Sequence, residues 1–156
     1  MKLEEIIAEC LSYENEREWF EFKQNVFKPD MIGEYISALS NSAAILGKPY
    51  AYIIWGISND KHKISGTSVN FNIEVNNEPL QHYLARNLDP SVAFQFKEIK
   101  FKNKRLVILI ISSSKIVPTS YLRERYIRIG SSKENIRKFP EREAYKKILK
   151  IIMQEV

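Results

Sequence analysis

Four glutamates stand within eight residues: Glu14, Glu16, Glu18 and Glu21, the last directly before Phe22-Lys23. Grouped carboxylates can hold divalent cations that activate water and offset phosphate charge, the chemistry of phosphodiester hydrolysis. The same residues have a structural use, in which Glu21 pairs with a basic side chain of its own sheet while Glu14 and Glu18 stay solvated. A second set lies late in the chain: Arg123, Arg125, Tyr126, Arg128, Ser131, Ser132, Lys133, Arg137 and Lys138, with Lys23 as an earlier cation. Guanidinium forks engage phosphate bidentately. Hydroxyls and backbone amides around Gly130-Ser131-Ser132 add contacts that position a nucleic-acid backbone without reading its sequence. Arg128 also has an internal alternative, an ion pair with an acid such as Glu21.

Both sets need a sheet to hold them. Glu18 to Lys23 alternates, with Phe20 and Phe22 on one side and Trp19, Glu21 and Lys23 on the other, which predicts a strand with one buried face. Arg125 to Ile129 reads as another strand, placing Arg123 and Arg125 on one face and Tyr126 and Arg128 on the opposite one. Between these, residues 2–12 carry apolar residues at helical spacing. Pro29-Asp30 starts a second helix that ends at Gly47, and its small residues Ser37, Ala38, Ser40, Ser42, Ala43 and Ala44 suit close approach to a sheet. Tyr50 to Ile57 is a nearly continuous run of β formers, expected as a central strand. Ser58 to His62 is a turn, and Glu78-Pro79 opens a helix that runs to Leu88. Residues 92–101 and 105–111 form a hairpin about Lys102-Asn103-Lys104. A final helix spans about Pro140 to Gln154. The order implies an α+β fold with a mixed sheet, as a single domain over residues 1–156.

Charge is distributed unevenly. Residues 1–90 hold 8 Lys/Arg against 13 Asp/Glu, a net of −5, whereas residues 91–156 hold 16 against 6, a net of +10. A basic half is the electrostatic footprint of a nucleic-acid binder, although a solvated basic helix leaves the same trace. The one cysteine, Cys10, excludes an intramolecular disulfide and a multi-cysteine zinc site, and a reducing, cytoplasmic compartment is expected. Two histidines, His62 and His82, lack metal-ligand partners nearby, so no metal is expected. Gly56, Gly66 and Gly130 form no dinucleotide or P-loop fingerprint, so no cofactor is expected either. No apolar run approaches the roughly 20 residues of a membrane helix. Trp19, Trp55, Tyr121 and Tyr126 can stack bases, but Trp55, inside the apolar run, belongs to the core.

Four segments in this order carry a family resemblance: Glu16 to Lys23, Ile36 to Ala44, Tyr52 to Asp60 with Gly66-Thr67, and Tyr126 to Ser132. Over about Glu14 to Lys138 the chain resembles the Schlafen-like, Alba-related nucleic-acid-binding domain of bacterial regulators and eukaryotic Schlafen proteins. The resemblance implies phosphate contact at Tyr126, Arg128, Gly130 and Ser131, which match the family's Tyr-x-Arg-x-Gly-Ser. It also implies a nuclease alternative, since that branch places two glutamates five residues apart before Phe-Lys, as Glu16 and Glu21 stand here. The third acid departs from the pattern. Ser58-Asn59 occupies the place of two acids, leaving Asp60 one residue later as the only substitute. The expected function is therefore binding of DNA or RNA through the basic half, with a regulatory role as the resemblance to bacterial regulators implies, without cleavage. The alternatives are a metal-dependent endoribonuclease using Glu16, Glu21 and Asp60, and a homodimerising interaction module built on Ile148, Leu149, Ile151, Ile152 and Met153.

Overall fold

Two parallel strands and the helix between them organise the chain, and the computed structural model describes them within residues 2–115 and 117–135. β1 (Phe20–Lys23) and β2 (Tyr50–Trp55) pair in register Glu21 with Ile53 and Lys23 with Trp55. They are connected by α2 (Pro29–Leu46), after α1 (Leu3–Leu11) has opened the chain. α2 starts with Pro29, whose missing N–H costs nothing in a first turn, and ends at Gly47 with φ 70°. That left-handed residue lets the Lys48 N–H reach the Ala43 carbonyl at 2.9 Å.

β2 is central. Its other neighbour is β7 (Lys104–Ser112), and β6 (Phe94–Phe101) forms the far edge, giving the mixed order β1-β2-β7-β6. Residues 51–55 and 106–109 are buried on both faces, which is why they read as unbroken apolar runs. Phe20, Phe22, Ile53, Ile54, Trp55 and Leu109 form the core with Ile6, Ile7 and Cys10 of α1. Burial raises the Cys10 thiol far above its ordinary range, so it behaves as a small hydrophobe.

A second sheet is antiparallel, in the order β10-β9-β8-β5, from β5 (Leu88–Asp89), β8 (Ser120–Tyr121), β9 (Glu124–Ile129) and β10 (Ser132–Asn135). α2 lies between the two sheets, touching β2 and β7 on one side and β8, β9 and β10 on the other. This explains why it is buried almost all round, from Ile32 to Ala43. Close approach has a specific requirement at Gly33, where an added Cβ would meet the Tyr121 ring at 2.1 Å. The Tyr121 hydroxyl passes beyond it and donates to Asp30 at 2.6 Å.

The fold is the expected α+β arrangement with helices packed on mixed strands, and several local boundaries differ. β1 is buried on both faces: Glu21 meets Tyr35 of α2 and Arg128 of β9, and Trp19, just before the strand, packs against Phe20, Tyr52 and Lys48 rather than facing solvent. The helix expected from Glu78 to Leu88 is shorter, α3 (Leu80–Arg86). Glu78–Pro79 instead forms β4, paired with β3 (Glu74–Val75) across Asn76-Asn77, and Leu88–Asp89 pairs with β8. Both asparagines have positive φ, the turn geometry that a two-residue hairpin needs. Arg123 is not a strand residue. With Leu122 it makes the β8–β9 turn, so strand alternation starts at Glu124. Ser132 already belongs to β10, which shortens the expected Gly130 to Ser132 turn. The helix expected from Pro140 to Gln154, with the apolar residues at 148–153, lies outside the described residues. Among the described residues, no helix is long and apolar enough to cross a membrane.

Candidate nucleic-acid interface

β9 delivers Arg128 to β1. The Arg128 side chain is fully buried; it donates through one terminal nitrogen to Glu21 Oε2 at 2.6 Å and through the other to the carbonyl of Phe20 at 3.3 Å. Glu21 is 5% exposed, and its second oxygen faces Lys23 Nζ and the Tyr35 hydroxyl, each at 3.4 Å. A buried carboxylate needs this compensation, and here two cations and a phenol supply it. The Nε of Arg128 is the only buried side-chain nitrogen or oxygen among the described residues that lacks a partner.

The sequence places Ser37, Asn41 and Ser42 on the face of α2 that meets β9. In β9 the N–H groups of Tyr126 and Arg128 have no strand partner on that side, because β8 begins only at Ser120, opposite Arg125. Ser37 Oγ and Ser42 Oγ accept them, each at 3.0 Å. Asn41 fills all its valences between the sheets. Its amide nitrogen donates to the carbonyls of Thr119 and Tyr126, and its oxygen accepts from Ser114 Oγ and the Thr119 N–H, at 2.6–3.0 Å. The small polar residues of this helix thus stand in for a missing strand, besides permitting close packing. Spacing alone did not reveal Asn41, although a lone amide in an otherwise small-residue stripe was the available signal.

Glu16 sits beside Glu21. Its Oε2 accepts the Phe22 N–H at 2.5 Å, which pins the loop before β1 to the strand itself. Burial and then the neighbouring Glu21 carboxylate push Glu16 up to about 7. Lys23 is shifted by opposing influences: burial pulls its ammonium down, but Glu21 and Tyr35 outweigh it and the net direction is upward. Tyr35 is raised by burial and by Glu21. The two glutamates expected at nuclease spacing therefore come together, but Glu21 is already held by Arg128. Asp60 is exposed in the turn after β2. Among the described residues, no group of three or more His, Cys, Asp or Glu is arranged to hold a metal ion. The residues present do not fit a two-metal hydrolytic centre.

Tyr35, which the sequence did not single out, is the hub of the cationic side. Lys23 lies 5.1 Å and Lys133 4.8 Å from its ring centroid, with Arg128 at 5.8 Å. Lys133 also reaches the Tyr126 ring at 5.8 Å and ion-pairs with Glu34. Arg128 and Lys133, both expected at phosphate, thus have acidic partners within the fold. Ser131 is exposed beside Gly130, and Arg137 and Lys138 lie outside the described residues. Arg123 is exposed and Arg125 half-buried, with no acidic partner among the described residues. Lys97, Lys100, Lys102 and Lys104 of the β6–β7 hairpin are likewise exposed and unpaired with acids, in contrast to Arg105, which pairs with Glu98 at 2.9 Å. Trp55 is in the core as expected, with its Nε1 donating to the Val26 carbonyl, and Trp19 and Tyr121, named as possible stacking residues, are buried as well.

A family model described as Schlafen, AlbA_2 matches residues 16–137. The chain belongs to this Schlafen, AlbA_2 family. The family points to a nucleic-acid-related function. Among solved structures, the DIP2311 protein from Corynebacterium diphtheriae is similar in fold, with a TM-score of 0.56 and 14% identity. The likeness covers 83% of this chain and 25% of that one, so this chain corresponds to about a quarter of that protein's length. No curated protein matches the chain. The Glu21–Arg128 pair joins the two ends of the matched region.

Proposed function

We propose that this Schlafen, AlbA_2 chain binds DNA or RNA through phosphate contacts made by exposed cations of its C-terminal half. One observation carries the reading: six cations on two hairpins have no acidic partner among the described residues. They are Lys97, Lys100, Lys102 and Lys104 on β6–β7, and Arg123 and Arg125 at β8–β9. Arg128 and Lys133, although in the same basic half, are neutralised inside the fold. Unpaired cations at hairpin edges meet phosphate without displacing an internal partner, and phosphate contacts carry no base information. Hydrolysis draws no support from the acid geometry, because Glu21 is tied to Arg128 and no third acid joins it among the described residues.

Fluorescence anisotropy with labelled duplex and single-stranded oligonucleotides across a salt series tests the reading. Affinity falls with salt along a log–log slope of about −0.9 per duplex phosphate contact and about −0.7 per single-strand contact. Binding that ignores salt, or no binding at low ionic strength, contradicts it.

A further inference from the structure

A cavity of about 510 Å³ opens between the loop preceding β1 and the turn following β2. Its apolar wall is Leu11 and Tyr13, and its polar groups come from Glu14, Asn15, Asn59, Lys61 and His62. Both walls are tethered. The Glu16 carboxylate pins the first to the Phe22 N–H. Ser58 closes the second, donating from Oγ to the Asp60 carbonyl at 2.8 Å and accepting the Lys63 N–H at 3.1 Å. His62 packs edge-on against Phe22 with ring centroids 4.8 Å apart, so the turn is anchored to the core strand. Glu14, Asn15 and Asn59 form no side-chain hydrogen bond among the described residues, and all three are exposed. The volume is that of a small-ligand site, and the lining is richer in polar groups than is usual for one, which suits a polar ligand.

We propose that this cavity holds a guanine nucleotide. Guanine alone among the common bases presents two adjacent N–H donors, N1–H and N2–H₂, beside the O6 acceptor on its Watson–Crick edge. A carboxylate accepts that donor pair, and a primary amide donates to O6 or N7; Glu14 with Asn15 and Asn59 offers this set. Tyr13, held between Arg17 at 5.0 Å and the rings of Trp19 and Phe20, gives the base a fixed apolar wall, and Lys61 provides a cation for phosphate. Adenine presents an acceptor where guanine has N1–H, so Glu14 disfavours it. The nucleotide is either free or an unpaired guanine within a strand. Only the strand-borne form rests on the nucleic-acid reading above.

An NMR titration of the full chain with GMP, and with AMP for comparison, reads the pocket directly. GMP shifts the side-chain amide signals of Asn15 and Asn59 in a saturable manner, and AMP leaves them in place. Glu14 is exposed, so Glu14→Gln keeps the folded spectrum while weakening GMP roughly tenfold, the scale of one lost bidentate base contact. The absence of amide shifts with GMP at millimolar concentration, equal shifts with AMP, or undiminished GMP binding by Glu14→Gln each overturns the proposal. Oligouridylates with and without one guanine separate the sources. A preference for the guanine-bearing strand that Glu14→Gln abolishes assigns an unpaired guanine in a strand. Equal binding of both strands, with the GMP shifts intact, assigns the free nucleotide. Failure of both strands to bind at low salt removes the nucleic-acid reading and leaves the pocket standing on its GMP response.

Discussion

Arg125 and Arg128 lie three residues apart on one strand and meet opposite environments. Arg128 turns into the fold, buried against Glu21 and the carbonyl of Phe20. Arg125, near the β8–β9 turn, remains half-exposed with no acidic partner among the described residues. The same contrast separates Lys133, paired with Glu34 beneath Tyr35 and Tyr126, from the lysines of the β6–β7 hairpin. A run of basic residues in sequence is thus two populations in space. One fastens the antiparallel sheet to the mixed sheet across α2, and the other has no acidic partner among the described residues. Edge-strand lysines also discourage edge-to-edge pairing of sheets, so β6 gains protection from the same side chains.

The largest expected effect comes from breaking the inner population. Arg128→Ala leaves Glu21 buried beside Glu16 with only Lys23 and Tyr35 to compensate its charge, and removing one partner of a buried pair costs roughly 3–5 kcal/mol. Urea or thermal unfolding shows that loss, while Arg125→Ala stays within about 0.5 kcal/mol of the parent. Equal stabilities of the two variants would erase the distinction between them. Asn41→Ala comes next. It strands the Thr119 N–H and the Tyr126 carbonyl between the sheets, while the Thr119 carbonyl keeps Ser37 Oγ at 2.7 Å; the loss is roughly 2–4 kcal/mol, at about 1–3 kcal/mol per unsatisfied group with partial relief by water. An unfolding curve that matches the parent would show that the α2 amide is not the link between β9 and the loop before β8.

A smaller, pH-dependent effect belongs to Glu16. Its carboxyl is raised from the ordinary 4.5 to about 7, so between those values the native state holds a proton that the unfolded chain releases. Stability is therefore fullest below about 4.5 as far as this group is concerned, and its contribution is lost as pH rises through about 7. Glu21, Arg128 and the Phe22 N–H are the groups that face it. Melting temperatures measured across this window decline in the parent and flatten in Glu16→Gln, which keeps an oxygen for the Phe22 N–H. A parent curve that rises instead would reverse the assigned direction.

Much of the scaffold was legible because local signals agree with tertiary demands. Pro29 and Gly47 bracket α2, and the apolar run from Tyr50 marks the central strand, as expected of residues buried on both faces. The asparagine at Lys102-Asn103 closes the β6–β7 hairpin with positive φ at both residues. Short strands were not legible. β3, β4, β5 and β8 are two residues each, too short for alternation to register, and their pairing is decided by distant partners. The site was half legible. Both possible uses of Arg128 could be written from sequence, but choosing between them needed Glu21 to be placed 107 positions away. Tyr35 and Glu34 escaped notice because their role depends on Lys23 and Lys133 arriving from two different sheets. The lysines of the β6–β7 hairpin were counted within the basic half, yet only the absence of nearby acids in space distinguishes them from Arg128 and Lys133.

The central claim is that the exposed hairpin cations, rather than the inner ones, meet phosphate, and the salt dependence of binding tests it most directly. Lys97, Lys100, Lys102, Lys104, Arg123 and Arg125 are replaced together by glutamine, and duplex affinity is measured across a salt series beside the parent. The expected result is a folded variant and a log–log slope shallower by up to about 0.9 for each of these cations that contacts phosphate. A variant with the parent's slope and affinity would contradict it and return phosphate contact to the inner cations around Tyr35.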